Sequence, residues 1–270
     1  MTGYEDEINN FKFSPDGKTI VSSSWKNTVK LWSTKDGKLL YILPSHEKLV
    51  TNIEFSYDSK MIASASLDET VKLWSIENGK LLHTFPGYKY SFSTVKFSPD
   101  SNTIASASSD NTLKIWSTQN GKLLQILSGH QDLIISIIFS PNNKTIASAS
   151  LDGTIKIWSA NNGKLLQTLS GQEDLVANLE FSPDSNTIAS ASRDNTIKLW
   201  SANNGKLLYT LSKHQGRILK VKFSPDGKTI ASASKDNTVK LWSDFSRDVE
   251  KVDLFASDTG EPTMGKANFR

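Results

Sequence analysis

Short runs of β-branched and aromatic residues recur along this chain, each broken after five or six positions by a polar turn. Val50 to Phe55 is one such run. The polar Ser56-Tyr57-Asp58-Ser59 follows, and then Met61 to Ser66, where apolar or small residues alternate with serines. Leu67-Asp68-Glu69 interrupts the pattern, and Thr70 to Trp74 resumes it with a period of two. Ser75 to Gly79 is a loop, and Lys80 to Phe85 is a fourth run. A period of two broken by turns of about four residues predicts a four-stranded antiparallel meander. No apolar spacing of the helical kind appears inside it. In other stretches the first turn reads Ser-Pro-Asp-Gly, as at Ser14 and Ser224. Proline presets φ there, aspartate bonds back to the backbone, and glycine accepts the left-handed conformation.

The meander is copied. Trp32, Trp74, Trp116, Trp158, Trp200 and Trp242 stand at intervals of 42 residues, and the words around them barely change. A fixed period of this length means one supersecondary unit stacked in series, each copy burying its faces on its neighbours. Residues 1–243 therefore read as one repeat domain. The strands are too apolar for a sheet with one wet face, with small residues (Ala63, Ala65) on the second strand and a large one (Trp74) on the third. A ring of radially stacked sheets buries both faces of every copy. A linear solenoid or a β-helix is the alternative, but 42 residues with four reversals is too long for one β-helix rung. The expected fold is all-β, a propeller of about six four-stranded antiparallel blades.

From Gly3 to Trp242 the chain resembles the WD-repeat β-propeller family. The motif pairs are Gly129-His130 upstream and Leu199-Trp200-Ser201 downstream, with Asp194 before the third strand. Serine replaces the aspartate that usually follows the tryptophan in all six copies. In such proteins His, Asp, a second-strand Ser and the Trp form a hydrogen-bonded chain within a blade. The resemblance assigns that role to His46, Ser64, Asp68 and Trp74, to His130, Ser148, Asp152 and Trp158, and to His214, Ser232, Asp236 and Trp242. A His–Asp pair near serines also suggests an acyl-transfer triad. These pairs recur with the repeat, however, whereas a catalytic site needs one set with an exposed nucleophile. The structural reading is therefore preferred. Tyr88 and Gln172 replace histidine opposite Asp110 and Asp194, and Tyr4 and Lys26 replace both partners in the first copy. The first blade is expected to be the least stable.

Against so uniform a scaffold, the positions that differ stand out. The residue before the network aspartate is Trp25, Leu67, Ser109, Leu151, Arg193 and Lys235 in turn. Three residues after the histidine position stand Glu7, Leu49, Ser91, Leu133, Leu175 and Arg217. Two further on come Asn9, Thr51, Ser93, Ile135, Ala177 and Leu219. The turn and the loop concerned lie at the same end of the meander, so all three series should face one end of the ring. Leu49, Leu67, Leu133, Ile135, Leu151 and Leu175 would form an apolar arc and Arg193, Arg217 and Lys235 a basic one, with Trp25 between them. Clustered aromatic, aliphatic and arginine residues are the usual anchors of a protein interface. The family's partner contacts commonly fall at these positions.

Composition narrows the choice. There is no cysteine, which removes disulfides and thiolate metal sites. The chain implies no cofactor and no metal. The net charge is +3. One lysine series (Lys30, Lys72, Lys114, Lys156, Lys198, Lys240) and another beside the glycines (Lys38, Lys80, Lys122, Lys164, Lys206) spread it around the ring. That distribution reads as solubility and edge protection, not as a nucleic-acid stripe. Met1 to Asn10 lacks the apolar run of a signal peptide and no stretch is long enough to span a membrane, so a cytoplasmic protein is expected. Beyond Trp242 the repeat breaks. Val249 to Leu254 can be read as a strand completing blade six, although Phe245, Val249, Val252 and Ala256 have helical spacing. The ring could equally stay open or be part of a larger propeller. The propeller is expected to span 1–255, with 256–270 a frayed tail. The functional expectation is a non-catalytic scaffold that captures a protein or peptide on its top face. The alternatives are a sensor or assembly module of a longer multidomain protein and, less favoured, an enzyme or sugar-binding propeller with a channel site.

Overall fold

The computed structural model describes residues 7–25, 27–43, 46–86, 94–171 and 174–243. They form six separate antiparallel sheets. Blade one holds β1 (Ile8–Phe13), β2 (Thr19–Ser24), β3 (Val29–Ser33) and β4 (Leu39–Leu43). Blade two holds β5 (Val50–Phe55), β6 (Met61–Ser66), β7 (Thr70–Ser75) and β8 (Leu81–Pro86). Blade three holds β9 (Val95–Phe97), β10 (Thr103–Ala107), β11 (Leu113–Ser117) and β12 (Leu123–Leu127). Blade four holds β13 (Ile134–Phe139), β14 (Thr145–Ser150), β15 (Ile155–Ser159) and β16 (Leu165–Leu169). Blade five holds β17 (Val176–Phe181), β18 (Thr187–Ser192), β19 (Ile197–Ser201) and β20 (Leu207–Leu211). Blade six shows β21 (Ile218–Phe223), β22 (Thr229–Ser234) and β23 (Val239–Ser243), three strands among the described residues. The expected closing strand at Val249–Leu254, and the tail, lie outside the described residues.

Within each blade the strands pair in chain order, and the first strands of successive blades pack on one another from β1 through β21. The first strands therefore line a central channel and the fourth strands form the perimeter. The turns expected from the sequence are present. Gly17 and Gly227 close the β1–β2 and β21–β22 turns at φ 71°. At the same place Ser59, Ser101, Asn143 and Ser185 take left-handed φ values of 58° to 65°. The turn serine stabilises each one: Ser56 Oγ donates to Asp58 Oδ1 at 2.6 Å, and Asp58 Oδ1 receives the Lys60 amide at 3.1 Å.

The core lies in the seams between blades. Across the first seam Val21, Val29, Leu31 and Leu43 of blade one meet Val50, Ile53, Phe55, Ile62 and Trp74 of blade two, all buried. Burying each large aliphatic or aromatic chain contributes about 1.5–3 kcal/mol. The same positions build the next four seams. Main-chain and side-chain bonds between blades reinforce them, as where the Val221 amide donates to Asn178 Oδ1 at 3.0 Å. At the perimeter Tyr41 donates to the Glu77 carbonyl at 2.9 Å and passes so close over Gly79 that a Cβ there would stand 2.7 Å from its ring. His83 occupies the equivalent place over Gly121. It is half-buried against the next blade.

The seam between blades six and one is different. Among the described residues, no packing of β21 on β1 matches the other five seams. Ile8, Phe11 and Phe13 are 54%, 64% and 59% exposed, whereas their counterparts Val50, Ile53 and Phe55 are buried.

Candidate functional site

Three features could carry function: the repeated polar network, the upper face and the channel. The network is built alike in blades two, four and six. In blade four the Trp158 indole N–H donates to Ser148 Oγ at 2.8 Å. Ser148 Oγ lies 2.8 Å from His130 Nε2, and His130 Nδ1 lies 2.8 Å from Asp152 Oδ2. The corresponding His–Asp distances are 2.9 Å for His46 to Asp68 and 2.7 Å for His214 to Asp236. The donors fix the proton positions. Tryptophan can only donate, so serine accepts from it and donates to Nε2, which leaves the histidine proton on Nδ1 facing the carboxylate. The neutral ring is required, and burial holds His46 and His130 below the usual 6.5, with the aspartates opposing. Burial by itself would raise Asp152. Hydrogen bonds from Thr154, the Gln131 amide and His130 outweigh it and hold the carboxyl at about 2. All the serine oxygens are buried and already accept an indole N–H, so none is a nucleophile awaiting substrate.

Blades three and five lack the histidine, and a lysine takes its place. Lys114 Nζ donates to Asp110 Oδ2 at 2.7 Å with its side chain 1% exposed, and Lys198 Nζ donates to Asp194 Oδ2 at 3.2 Å. The serines then turn to the backbone: Ser190 Oγ donates to the Lys198 carbonyl at 3.3 Å. Periodicity hid this role, because a lysine occurs at that position in every copy. The series was read as surface charge, yet Lys30, Lys114, Lys156 and Lys198 are buried. The second series, beginning at Lys38 and Lys80, is exposed.

On the upper face the variable positions are joined in pairs by main-chain hydrogen bonds. The Trp25 amide donates to the Glu7 carbonyl, Leu67 to Leu49, Leu151 to Leu133, Arg193 to Leu175, and Lys235 to Arg217, all at 2.9 to 3.2 Å. The third series is explained by the backbone. Asn9, Thr51, Ile135, Ala177 and Leu219 are the unpaired residues where the ladder register shifts in the first strand of their blades. Each is a β-bulge, a device that re-aims a side chain off the sheet. Trp25 is 55% exposed, and Leu67, Leu133, Leu151, Arg193, Arg217 and Lys235 are exposed as well. Leu49, Ile135 and Leu175 are half-buried and contribute less surface. The apolar positions do not form one arc: blade three, with Ser109, separates those of blade two from those of blade four. The open seam lies between Lys235 and Trp25. Ser91 and Ser93 lie outside the described residues.

The channel encloses a cavity of about 720 Å³ and carries one residue per blade at the level of Lys12: Lys12, Glu54, Lys96, Ile138, Glu180 and Lys222. Glu54 Oε2 receives both Lys12 and Lys96 at 2.6 Å. Burial raises its pKa, but the two lysines outweigh this and hold the carboxyl below the usual range. Lys222 spans both oxygens of Glu180 at 2.7 Å. Among the described residues no group of three or more acidic, histidine or cysteine side chains could hold a metal ion. Nor is any helix long and apolar enough to cross a membrane.

Two known proteins match a short part of the chain. Ribosome assembly protein 4 of Saccharomyces cerevisiae is 50% identical over 40 residues, and that of Chaetomium thermophilum is 42% identical over 40 residues. In each case the match covers 15% of this chain and only 8% of the relative, about the length of one repeat. The model of the WD domain, G-beta repeat, matches six times, at residues 1–33, 37–75, 79–117, 121–159, 163–201 and 205–243. Six matches accompany six sheets, the first three strands of each sheet falling in one matched repeat and the fourth described strand in the next, and the chain belongs to the WD-repeat β-propeller family.

Proposed function

We propose that this protein is a non-catalytic interaction scaffold whose upper face captures a protein or peptide segment. The observation that carries the reading is the pairing of non-repeating side chains by main-chain bonds on an otherwise repeating frame. Such pairs present different chemistry while the frame stays rigid, as a binding surface requires. Trp25 is a large exposed aromatic, and Arg193, Arg217 and Lys235 stand on blades five and six, on the other side of the seam. Tryptophan and arginine are the residues most enriched among interface anchors. The partner implied is a segment with apolar anchors and acidic residues. Its acidic part would face blades five and six and its apolar part Trp25, Leu67 and the leucines of blade four. The channel supports an enzyme less well, since Glu54 and Glu180 are both engaged by lysines and neither is poised as a base. The two ribosome assembly relatives make an assembly role conceivable for the chain, but over a single repeat they share only the frame.

A photoreactive benzoylphenylalanine in place of Trp25 should cross-link partner proteins that the same group in place of Leu82, on the perimeter, does not. Identical cross-linked species from both positions would contradict the reading.

A further inference from the structure

Strands alternate in direction, so the turns between third and fourth strands lie at the lower end, opposite the paired residues of the upper face. These turns are held by their own backbone. In blade four the Gly163 amide donates to the Ser159 carbonyl at 2.9 Å, and Asn162 Oδ1 receives the Lys164 amide at 3.1 Å. Each turn opens into Lys-Leu-Leu, beginning at Lys122, Lys164 and Lys206 in blades three to five. The lysines are exposed, and Leu123, Leu124, Leu165, Leu166 and Leu208 are 36% to 51% exposed. Single exposed leucines are ordinary on a protein surface, but leucines beside a lysine on neighbouring blades form a pattern.

The register explains the exposure. The ladder between third and fourth strands shifts at this point, so Leu124, Leu166 and Leu208 face no partner residue on β11, β15 or β19. A bulge re-aims its side chain off the sheet. It also breaks the outer edge where a further strand would pair, and a lysine stands beside the break. The rim is therefore closed to strand addition while its leucines stay outside. Edge protection accounts for the bulge and the lysine, but not for apolar side chains left in water in copy after copy.

Charge selects the occupant. In blade one Asp36 Oδ2 lies 3.3 Å from Lys38 Nζ, and blade two carries Glu77 in the same turn. Blades three to five have no acidic residue from the end of the third strand to the end of the fourth, and Lys122, Lys164 and Lys206 form no ion pair among the described residues. A protein partner is matched by positions that differ from blade to blade, as on the upper face. Alike basic and apolar contacts, repeated along an arc at one end of the molecule, match a partner that is itself uniform and anionic.

We propose that the lower rim of blades three to five rests on an anionic lipid surface, the leucines entering the headgroup layer and the lysines meeting anionic headgroups. The protein then lies on the bilayer and does not span it. The site is at the opposite end from the upper face, does not depend on its partner and leaves that face free.

The test is cosedimentation of the intact protein with vesicles of phosphatidylcholine, alone or mixed in equal parts with phosphatidylglycerol. Partitioning onto the mixed vesicles should exceed that onto phosphatidylcholine by about tenfold or more, and should fall as salt is raised. Two rim variants change only exposed positions: one carries Leu124→Ser, Leu166→Ser and Leu208→Ser, the other Lys122→Gln, Lys164→Gln and Lys206→Gln. Each should keep the wild-type melting temperature and partition about tenfold more weakly. A variant with Leu133→Ser and Leu151→Ser, on the upper face, should bind the vesicles as the wild type does. The proposal is overturned if the wild type stays in the supernatant, if it binds both vesicles alike, if either rim variant binds like the wild type, or if the upper-face variant loses as much. Self-association of the wild type that the rim variants lack means that a second copy covers the leucines, and overturns it too.

Discussion

At the scale of single residues, the same carboxylate is satisfied by two different partners. Asp152 Oδ2 keeps its histidine, whereas Asp194 Oδ2 is met by Lys198, with both members of that ion pair buried. Removing a charge partner from a buried carboxylate costs more than removing a bystander. Lys198→Met should therefore destabilise the protein by about 1–3 kcal/mol. Lys156→Met, in a blade where the histidine remains, should cost clearly less. Equal losses in denaturant unfolding would contradict the substitution of lysine for histidine. The histidines also set a pH dependence. His46 and His130 titrate below 6.5 when folded, so the unfolded chain takes up protons first and stability falls as pH drops below about 6.5. Asp152, held at about 2 against its ordinary 3.8, contributes stability above 3.8 that is lost as pH falls from there through about 2. A melting temperature that rises on acidification from pH 7 to 5 would be the wrong sign. The histidine chain was legible through the family resemblance, and the fixed spacing of its His–Asp pairs marked them as structural. The lysine replacement was not, because a residue present in every copy gives no sign of doing a different task in two of them.

At the scale of the strand and turn, period and breakers located nearly everything. In blade two the observed strands begin and end within a residue of those read from apolar alternation. What period could not show was the bulge in the first strands of blades one, two, four, five and six, since one extra residue leaves the repeat length unchanged. That bulge explains why Asn9, Thr51, Ile135, Ala177 and Leu219 vary: they stand outside the paired register of the ladder. The turns between second and third strands show the converse, a local cost that the repeat exposes by comparison. Asn27, Asn111, Asn195, Asn237 and Gly153 take left-handed φ values there, and blade two places Glu69 in the same conformation at 69°. A residue other than Gly, Asn or Asp pays roughly 1 kcal/mol in this region. Glu69→Asn should therefore raise stability by up to about 1 kcal/mol without touching the core, and a loss of stability would show that the Glu69 side chain has a role the turn does not explain.

At the scale of the molecule, the period of 42 establishes blades and their number but not how the ends meet. Closure depends on the faces of the first and last sheets, whose residues look like those of every other blade in the sequence and differ only in what lies against them. The first blade was expected to be the weakest for want of its polar network. The exposed Ile8, Phe11, Phe13, Val239 and Leu241 extend that expectation to both end blades, so amides of β1 and β23 should exchange faster than those of β13–β15. The account as a whole claims that positions repeating in every blade hold the frame and positions that do not repeat hold the partner. The most direct measurement compares affinity capture by the wild type and by a Trp25→Ala, Arg193→Ala, Arg217→Ala variant of matched melting temperature. The account predicts that the variant keeps its fold and loses the proteins the wild type retains. Recovery of the same proteins by both would contradict it.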